Sequence, residues 1–252
     1  MNAPAQNVLA IIPARYGSSR LPGKPLASIA GRPMIQHVVE RVRRARLVSS
    51  ILVATDDDRI KKAVEAFGGH AILTRSDHRT GTDRVAEVAA HVPADIYVNI
   101  QGDEPLIDPG IIDAVVVAML EDNSIQIATP CAAITNQKEI VDPNIVKVAR
   151  DFDSNGLYFS RAPIPWVRDT GSPVVARHWK HIGLYAFVRD ALLEFPTLPP
   201  GELERIEQLE QLRWLENGFR IRVVETEYDA VSVDVPADLE RVEKILRENE
   251  AA

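Results

Sequence analysis

Basic side chains are concentrated in one short loop near the start of the chain. Residues 11–25 run from apolar residues into small ones and carry Arg15, Arg20 and Lys24. Backbone N–H groups of small residues such as Gly17 can approach ligand oxygens closely, while arginine and lysine neutralise negative charge. On a chain of net charge −7, this loop predicts a site for a strongly anionic ligand such as a polyphosphate. The alternative is a solvated surface loop.

Spacing excludes two known phosphate motifs. Gly17 and Gly23 enclose five residues, and Pro25 follows Lys24. A Walker A loop instead has four residues between its glycines and a serine or threonine after its lysine. The glycines are also too far apart for a dinucleotide fingerprint. We therefore expect a third kind of phosphate-binding loop.

Two aspartates follow predicted strands. Asp103 lies in the turn after a buried strand, and Asp234 ends a short apolar segment. Two carboxylates on one edge of a sheet can share Mg²⁺, which prefers oxygen ligands and accompanies polyphosphates. Two alternatives remain: each aspartate caps the following helix, or Glu104 is the metal ligand in place of Asp103.

Three further groups of polar residues are candidates for ligand binding. Residues 75–84 are dense in hydrogen-bond donors, and either contact a base and ribose or simply cap a helix at Thr82. Arg161 lies in a proline-bounded segment and suits a carboxylate ligand. His181 and Tyr185 are predicted to face the same side of one strand, over residues 181–187.

A predicted helix over residues 203–217 has two distinct faces. One is an apolar stripe, and the other combines polar residues with a tryptophan. The apolar stripe comprises Ile206, Leu209 and Leu212, and the other face comprises Glu207, Glu210, Gln211 and Trp214. The second face is either solvated or binds a sugar, with the tryptophan stacked on the ring.

The first half of the chain alternates short apolar segments with helical periodicity. This pattern predicts an α/β fold with a doubly wound, mostly parallel sheet, in which ligands bind beyond the carboxyl ends of the strands. Predicted strands cover residues 8–13, 51–54 and 96–100, and predicted helices cover 34–45, 55–67, 83–91 and 109–121. Both the basic loop and Asp103 lie at such strand ends.

The second half of the chain has a more irregular pattern. Strands are predicted over residues 125–134, 145–150, 220–225 and 230–235, a hairpin turn over 153–156 and a final helix over 236–249. We interpret residues 1–252 as one domain, with a smaller mixed α/β lobe appended at about residues 137–200 that binds the sugar or forms a dimer contact.

Composition narrows the class of protein. The single cysteine, Cys131, lies in an apolar run and is predicted to be a buried residue of a strand. A single cysteine also fits a protein of the reducing cytoplasm. We see no signal peptide and no membrane span, and the acidic balance argues against nucleic-acid binding. No histidine spacing suggests zinc.

Ordered motifs along nearly the whole chain resemble the 3-deoxy-manno-octulosonate (Kdo) cytidylyltransferase family. The resemblance is carried by residues 11–26, 54–56, 80–84, 99–105, 158–161, 207–213, 233–234 and 238–242. Departures are Gly17 in place of alanine, Val235 in place of threonine, and a shorter stretch between Trp166 and His181.

The resemblance implies a fold like that of nucleotide-diphospho-sugar transferases and a reaction. CTP and the acidic sugar Kdo give CMP-Kdo and pyrophosphate, with Mg²⁺ required, for lipopolysaccharide biosynthesis. The anomeric hydroxyl would attack the α-phosphorus in line, without a covalent enzyme intermediate. Relatives of this family imply a homodimer.

The resemblance also assigns roles to residues. Catalytic roles fall to Arg15, Lys24 and Asp103, and the metal ligands are Asp103 and Asp234. Nucleotide-binding residues are Ala14, Arg15, Ser18, Ser19, Arg20, Lys24, Arg75, Thr80, Gly81, Thr82 and Gln101. Sugar-binding residues are Gln101, Arg161, His181, Tyr185, Glu210 and Gln211.

Three other functions compete with this one. A CMP-sialic acid synthetase performs the same chemistry on another acidic sugar, although its opening loop differs from residues 15–20. An amino-substituted Kdo is also compatible with the sequence. A noncatalytic nucleotide-binding regulator belongs to a different class, and would be expected to have lost Asp103 or Asp234.

Overall fold

A ten-stranded mixed sheet runs through the protein in a computed structural model, which describes residues 6–17, 21–168 and 177–250. The strands are β1 (Val8–Ala14), β2 (Ser28–Ile29), β3 (Arg32–Pro33), β4 (Ser50–Thr55), β5 (Ala71–Leu73), β6 (Ile96–Asn99), β7 (Ile127–Ala133), β8 (Lys147–Arg150), β9 (Gly156–Ser160), β10 (Trp179–His181), β11 (Tyr185–Val188) and β12 (Arg222–Thr226). The helices are α1 (Met34–Val42), α2 (Asp58–Ala66), α3 (Gly81–His91), α4 (Pro109–Glu121), α5 (Gln137–Val141), α6 (Arg189–Glu194), α7 (Glu202–Glu207), α8 (Gln211–Glu216) and α9 (Pro236–Glu250).

The strand order of the main sheet is β5-β4-β1-β6-β11-β7-β10-β8-β9, and β12 pairs with β7 outside this path. Strands β5, β4, β1, β6, β7, β12 and β8 run in one direction, while β11, β10 and β9 run in the other. Strands β2 and β3 form a separate small pair. The sheet is therefore mostly parallel, as predicted.

Apolar side chains cover both faces of the sheet. On one face, β1 and β6 pack against α1, α2 and α4, for example through Ile35 and Ile112. On the other face they pack against α3, α6 and α8, for example through Val85 and Leu212. Helices on both faces of a largely parallel sheet confirm the doubly wound α/β prediction.

Side-chain caps begin the helices α2, α3 and α4 in the first half. Asp57 caps α2 through Arg59 N, and Asp108 caps α4, whose bounds are those predicted. Thr80 and Asp83 form a capping box at the start of α3. The cap of this helix is therefore Thr80 and not Thr82.

Several predictions for the second half were wrong. The predicted helix over residues 203–217 is two short helices, α7 and α8, because Gln208 adopts the left-handed conformation with φ 53°. Trp214 is fully buried and packs against Phe187 and Phe195, so it is neither solvated nor available for sugar stacking. Residues 230–235 form no strand, and the single strand predicted over 181–187 is split between β10 and β11.

The range 137–200 continues the central sheet. Strands β10, β8 and β9 form one end of the sheet, whereas β11 lies near its centre. The hairpin turn over residues 153–156 is confirmed between β8 and β9. A separate role of this range in sugar binding or dimerisation stays a prediction, and residues 169–176 of the shortened stretch lie outside the described part.

Cys131 is buried in β7, and burial raises the pKa of its thiol to about 12. This confirms the interpretation of Cys131 as a buried strand residue. Among the helices described, none combines the length and apolar character that crossing a membrane requires.

Candidate active site

Two adjoining cavities lie beyond the carboxyl ends of β1 and β6. The smaller, of about 300 Å³, is lined by the end of β1, Lys24 and the start of α3. The larger, of about 550 Å³, is lined by β10, the turn between β10 and β11, and the start of α8. Gly81, Gln101 and Glu210 line both cavities. Ligands in the two cavities would therefore meet at these residues.

The turn after β6 can approach β1 because it contains a glycine. A Cβ atom at Gly102 would lie 2.8 Å from the carbonyl oxygen of Pro13, too close for any other residue without a backbone shift. The backbone oxygen of Asp103 then accepts a hydrogen bond of 2.9 Å from Val233 N. This bond ties the turn to the segment that carries Asp234.

Lys24 joins the two aspartates. Its Nζ lies 2.6 Å from Asp103 Oδ2 and 3.2 Å from Asp234 Oδ1, and the contacts are partly buried. Gly23, with φ 67°, turns the chain into the short 3₁₀ helix at Lys24–Leu26 that presents this lysine. Residues far apart in the sequence therefore form one charged cluster on the wall of the smaller cavity.

Helix capping does not explain the aspartate in the turn after β6. Helix α4 is capped by Asp108, so the capping alternative for Asp103 is wrong. Just before α9, Asp238 Oδ2 accepts hydrogen bonds from the N–H groups of Asp234 and Val235. The Asp103 and Asp234 side chains both reach Lys24.

Asp103 and Asp234 could bind a cation whose remaining ligands come from a bound substrate. Among the described residues, no group of three or more His, Cys, Asp or Glu side chains could hold a metal ion. Mg²⁺, however, is commonly bound by one or two carboxylates together with substrate phosphates and water. The contact of both aspartates with the Lys24 ammonium shows that positive charge is accommodated at this position.

Glu104 does not join this cluster. It lies on the wall of the larger cavity, only 6% exposed, and burial together with the charge of Asp103 raises its pKa to about 8. A carboxyl that resists ionisation is a poor ligand for a hard cation, which favours Asp103 over Glu104.

Most of the predicted nucleotide-binding residues line the smaller cavity. Those described there are Ala14, Arg15, Lys24, Thr80, Gly81 and Gln101. Thr82 lines the larger cavity instead. Arg75 lines neither cavity, and its exposed guanidinium pairs with Asp77. Ser18, Ser19 and Arg20 lie outside the described residues.

Three charged or titratable residues of the smaller cavity were not predicted as site residues, namely His78, Arg79 and Arg84. His78 contacts Glu87 through Nε2, and Arg84 forms a 2.9 Å ion pair with Asp56. All three lie in the donor-rich segment that the sequence singled out, but spacing alone did not show which of its side chains face inward.

Five predicted sugar-binding residues line the larger cavity: Gln101, His181, Tyr185, Glu210 and Gln211. Burial lowers the pKa of His181 to about 3, so its ring is neutral, and Nε2 lies 2.9 Å from Thr129 Oγ1. Burial raises the pKa of Glu210, whose carboxyl also contacts Thr80 and Thr82. The pocket thus offers neutral hydrogen-bonding groups beside a carboxyl.

Arg161 is not on the lining of either cavity. Its Nε donates to Glu207 O at 2.8 Å, its Nη1 donates to Pro143 O at 2.9 Å, and its Nη2 donates to Gln208 O at 3.4 Å. The guanidinium is therefore bound to the backbone that leads into Glu210. Its assignment to the sugar carboxylate stays a prediction, and the geometry favours a role in holding this backbone.

Two other cations line the larger cavity. Lys180 Nζ lies 3.1 Å from Glu139 and 2.5 Å from Asp229. Arg241, on α9, has no hydrogen bond or ion pair with another residue in the described part of the chain. The sequence reasoning missed both as site residues, although Arg241 belongs to one of the motifs that it singled out.

A family model and curated relatives both match this chain to cytidylyltransferases. A family model described as cytidylyltransferase matches residues 9–223. A 3-deoxy-manno-octulosonate cytidylyltransferase of Geobacter sulfurreducens is 51% identical over 244 residues, which is 94% of this chain and 98% of the relative. The protein of the same name from Solibacter usitatus is 52% identical and covers 96% of this chain and 95% of its own length.

Solved structures agree with these matches. A CMP:2-keto-3-deoxy-manno-octonic acid synthetase complexed with CTP superimposes with a TM-score of 0.92 at 47% identity, covering 96% of this chain and 99% of its own. A cytidylyltransferase of Leptospira borgpetersenii has a TM-score of 0.66 at 19% identity, covering 96% of this chain and 87% of its own, and shares the fold.

Proposed function

This chain belongs to the 3-deoxy-manno-octulosonate cytidylyltransferase family, and we propose that it joins CTP and Kdo to give CMP-Kdo and pyrophosphate. The product would serve lipopolysaccharide biosynthesis in the cytoplasm. As a member of this family the chain is a nucleotidyltransferase.

One observation carries the assignment. Lys24, Asp103 and Asp234 form a single charged cluster beside the smaller cavity, and that cavity adjoins the larger one at Gln101 and Glu210. A triphosphate needs such charged groups, and an acceptor sugar needs a polar pocket next to the α-phosphate. The arrangement supports transfer between two ligands bound side by side.

Positioning and electrostatics account for the chemistry. Arg15 and Lys24 lie where they can neutralise phosphate oxygens, and the Kdo anomeric hydroxyl attacks the α-phosphorus while pyrophosphate leaves. We propose that Asp103 and Asp234 would hold Mg²⁺, which would offset phosphate charge and favour loss of the hydroxyl proton. Lys24 would then contact phosphate in place of at least one aspartate.

The acidic group of the sugar requires positive charge on the acceptor side. Lys180 is already paired with two carboxylates, whereas Arg241 makes no hydrogen bond or ion pair with a described residue and interacts only at longer range with the charge of Asp238. We therefore assign the sugar carboxylate to Arg241 rather than to Arg161, whose guanidinium is bound to three backbone carbonyls.

We also propose that the protein forms a homodimer. Large apolar side chains are exposed on the elements at the β9 end of the sheet, namely Val141, Phe152, Leu157, Trp166 and Ile206. Burying them between two copies would remove apolar surface from water. Light scattering on the purified protein measures the mass directly.

Pyrophosphate release tests the proposed function. The protein is assayed with CTP and Mg²⁺ together with Kdo, an amino-substituted Kdo or sialic acid. We expect release with Kdo at a kcat/KM at least about tenfold above that with either other sugar. Preference for sialic acid or the amino sugar would reassign the substrate, and no release with any of them would favour a regulator.

A further inference from the structure

Three buried polar atoms of residues on the wall of the larger cavity have no hydrogen-bond partner among the residues described. They are Asn99 Oδ1, Gln211 Nε2 and Glu104 Oε2. Asn99 is 1% exposed, Gln211 is 4% exposed and Glu104 is 6% exposed. Leaving a buried polar group unpaired is destabilising, so three of them at one cavity point to a ligand that pairs with them.

The strand geometry explains why Asn99 faces the cavity. It is the last residue of β6 and pairs with Ile11 of β1 and Tyr185 of β11, so strands lie on both sides of it. Because side chains alternate along a strand, Asn99 projects on the same face as Tyr97, which is part of the core between the sheet and α3. At Asn99 this core gives way to the cavity.

The unpaired atoms define the chemistry of the ligand. Asn99 Oδ1 needs a donor, Gln211 Nε2 needs an acceptor, and Glu104 Oε2 accepts a hydrogen bond or, when protonated, donates one. A carboxylate or phosphate only accepts hydrogen bonds, and an ammonium only donates them. A hydroxyl group does both, so a polyhydroxylated chain or ring satisfies all three residues.

We propose that Asn99 determines specificity for the acceptor sugar by accepting a hydrogen bond from one of its hydroxyls, while Gln211 donates to a hydroxyl oxygen of the same sugar. This inference rests on the proposed function. It assigns to Asn99 a contact with the substrate and no part in moving the reacting proton.

The variant Asn99→Leu shows whether Asn99 contacts the sugar or only supports the structure. Leucine has a similar size and removes the unpaired buried group, so we expect Asn99→Leu to keep or raise Tm. At the same time its KM for Kdo rises roughly tenfold or more, because a bond to the sugar is lost, while its KM for CTP stays within about twofold of wild type. An unchanged KM for Kdo, or a lowered Tm with equal changes in both KM values, overturns the proposal.

His37 provides a matched control. It is also buried, but its Nε2 lies 2.8 Å from Ile29 O, remote from the larger cavity. His37→Leu therefore lowers Tm without raising the KM for Kdo selectively. If both variants behave alike, Asn99 is an ordinary core residue.

Analogues of Kdo that each lack one hydroxyl identify the contact. Wild type discriminates against the analogue that lacks the hydroxyl bound by Asn99, and Asn99→Leu loses this discrimination. Equal discrimination by both proteins for every analogue overturns the proposal. A wild type that turns over no sugar in the pyrophosphate assay would instead refute the proposed function, so the two failures are distinguishable.

Discussion

Asp103 and Asp234 come from opposite halves of the chain, yet their carboxylates lie against one ammonium nitrogen, at 2.6 Å and 3.2 Å from Lys24 Nζ. The bond from Val233 N to Asp103 O holds the two segments together. Lys24 thus offsets the repulsion between the carboxylates, and a divalent cation would compete with it for the same oxygens.

Replacing Asp103 by asparagine should leave the fold intact and lower turnover by about 10²–10³-fold, because a charge at the proposed metal position is lost. Pyrophosphate release measures kcat, and thermal unfolding measures Tm. Asp58→Asn, at an exposed position in the first turn of α2, is the control and should keep wild-type kcat. Wild-type turnover in Asp103→Asn would contradict the assignment.

Removing the Lys24 ammonium should have opposite effects on metal binding and on turnover. In Lys24→Met the two carboxylates lose their internal cation, so without nucleotide the variant should bind Mn²⁺ more tightly than wild type. Its kcat should fall, because a phosphate contact is missing. Electron paramagnetic resonance counts free Mn²⁺, and Lys61→Met, which loses a partly exposed contact with Glu65, is the control. Equal Mn²⁺ affinity in wild type and Lys24→Met would show that the lysine does not compete.

Arg161 should behave as a support for the backbone. Arg161→Gln loses hydrogen bonds to the carbonyls of Pro143, Glu207 and Gln208, so the free energy of unfolding should drop by about 2 kcal/mol. Urea unfolding measures this change. An unchanged stability with a selective rise in the KM for Kdo would instead restore the carboxylate role that the sequence suggested.

Arg241→Gln should show the complementary result. The side chain makes no hydrogen bond or ion pair with a described residue and only a longer-range electrostatic interaction with Asp238, so Tm should stay close to wild type. Loss of the cation should raise the KM for Kdo by about tenfold or more and leave the KM for CTP nearly unchanged. Steady-state kinetics with each substrate varied separately would reveal a different pattern if another residue binds the carboxylate.

His181 should make a pH-dependent contribution to stability. Burial lowers its pKa from 6.5 to about 3, so between these values the unfolded chain binds one more proton than the folded protein. The contribution of His181 to the free energy of unfolding therefore falls as the pH drops from 6.5 towards 3. The stability difference between wild type and His181→Gln should shift by about 2 kcal/mol between pH 7 and pH 5. Urea unfolding at both pH values would contradict this if the difference stayed constant.

The first half of the fold could be predicted because its signals are local. Asp108 and Pro109 mark the start of α4, and Asp57 and Gly68 delimit α2, so these bounds follow from short sequence patterns. The second half depends on distant contacts. The break at Gln208 is held by Arg161 from another segment, and no periodicity over residues 203–217 reveals it.

The candidate site, like the fold, could be predicted only in part. The proximity of Asp103 to Asp234 was expected from strand ends on one edge and from the resemblance to a known family, and the structure brings both to Lys24. The strand expected before Asp234 is absent, and the bond from Val233 N to Asp103 O holds that segment in place instead. The inward-facing residues His78, Lys180 and Arg241 depend on tertiary packing, which spacing does not encode. Asn99 did carry a signal, since it is a polar residue ending an apolar strand.

Anomalous diffraction from crystals grown with CTP and Mn²⁺ tests the central claim most directly. The account predicts a manganese peak coordinated by both Asp103 and Asp234 and by phosphate oxygens, with Lys24 moved onto the triphosphate. A peak bound by neither aspartate, or a triphosphate placed away from Arg15 and Lys24, would contradict it.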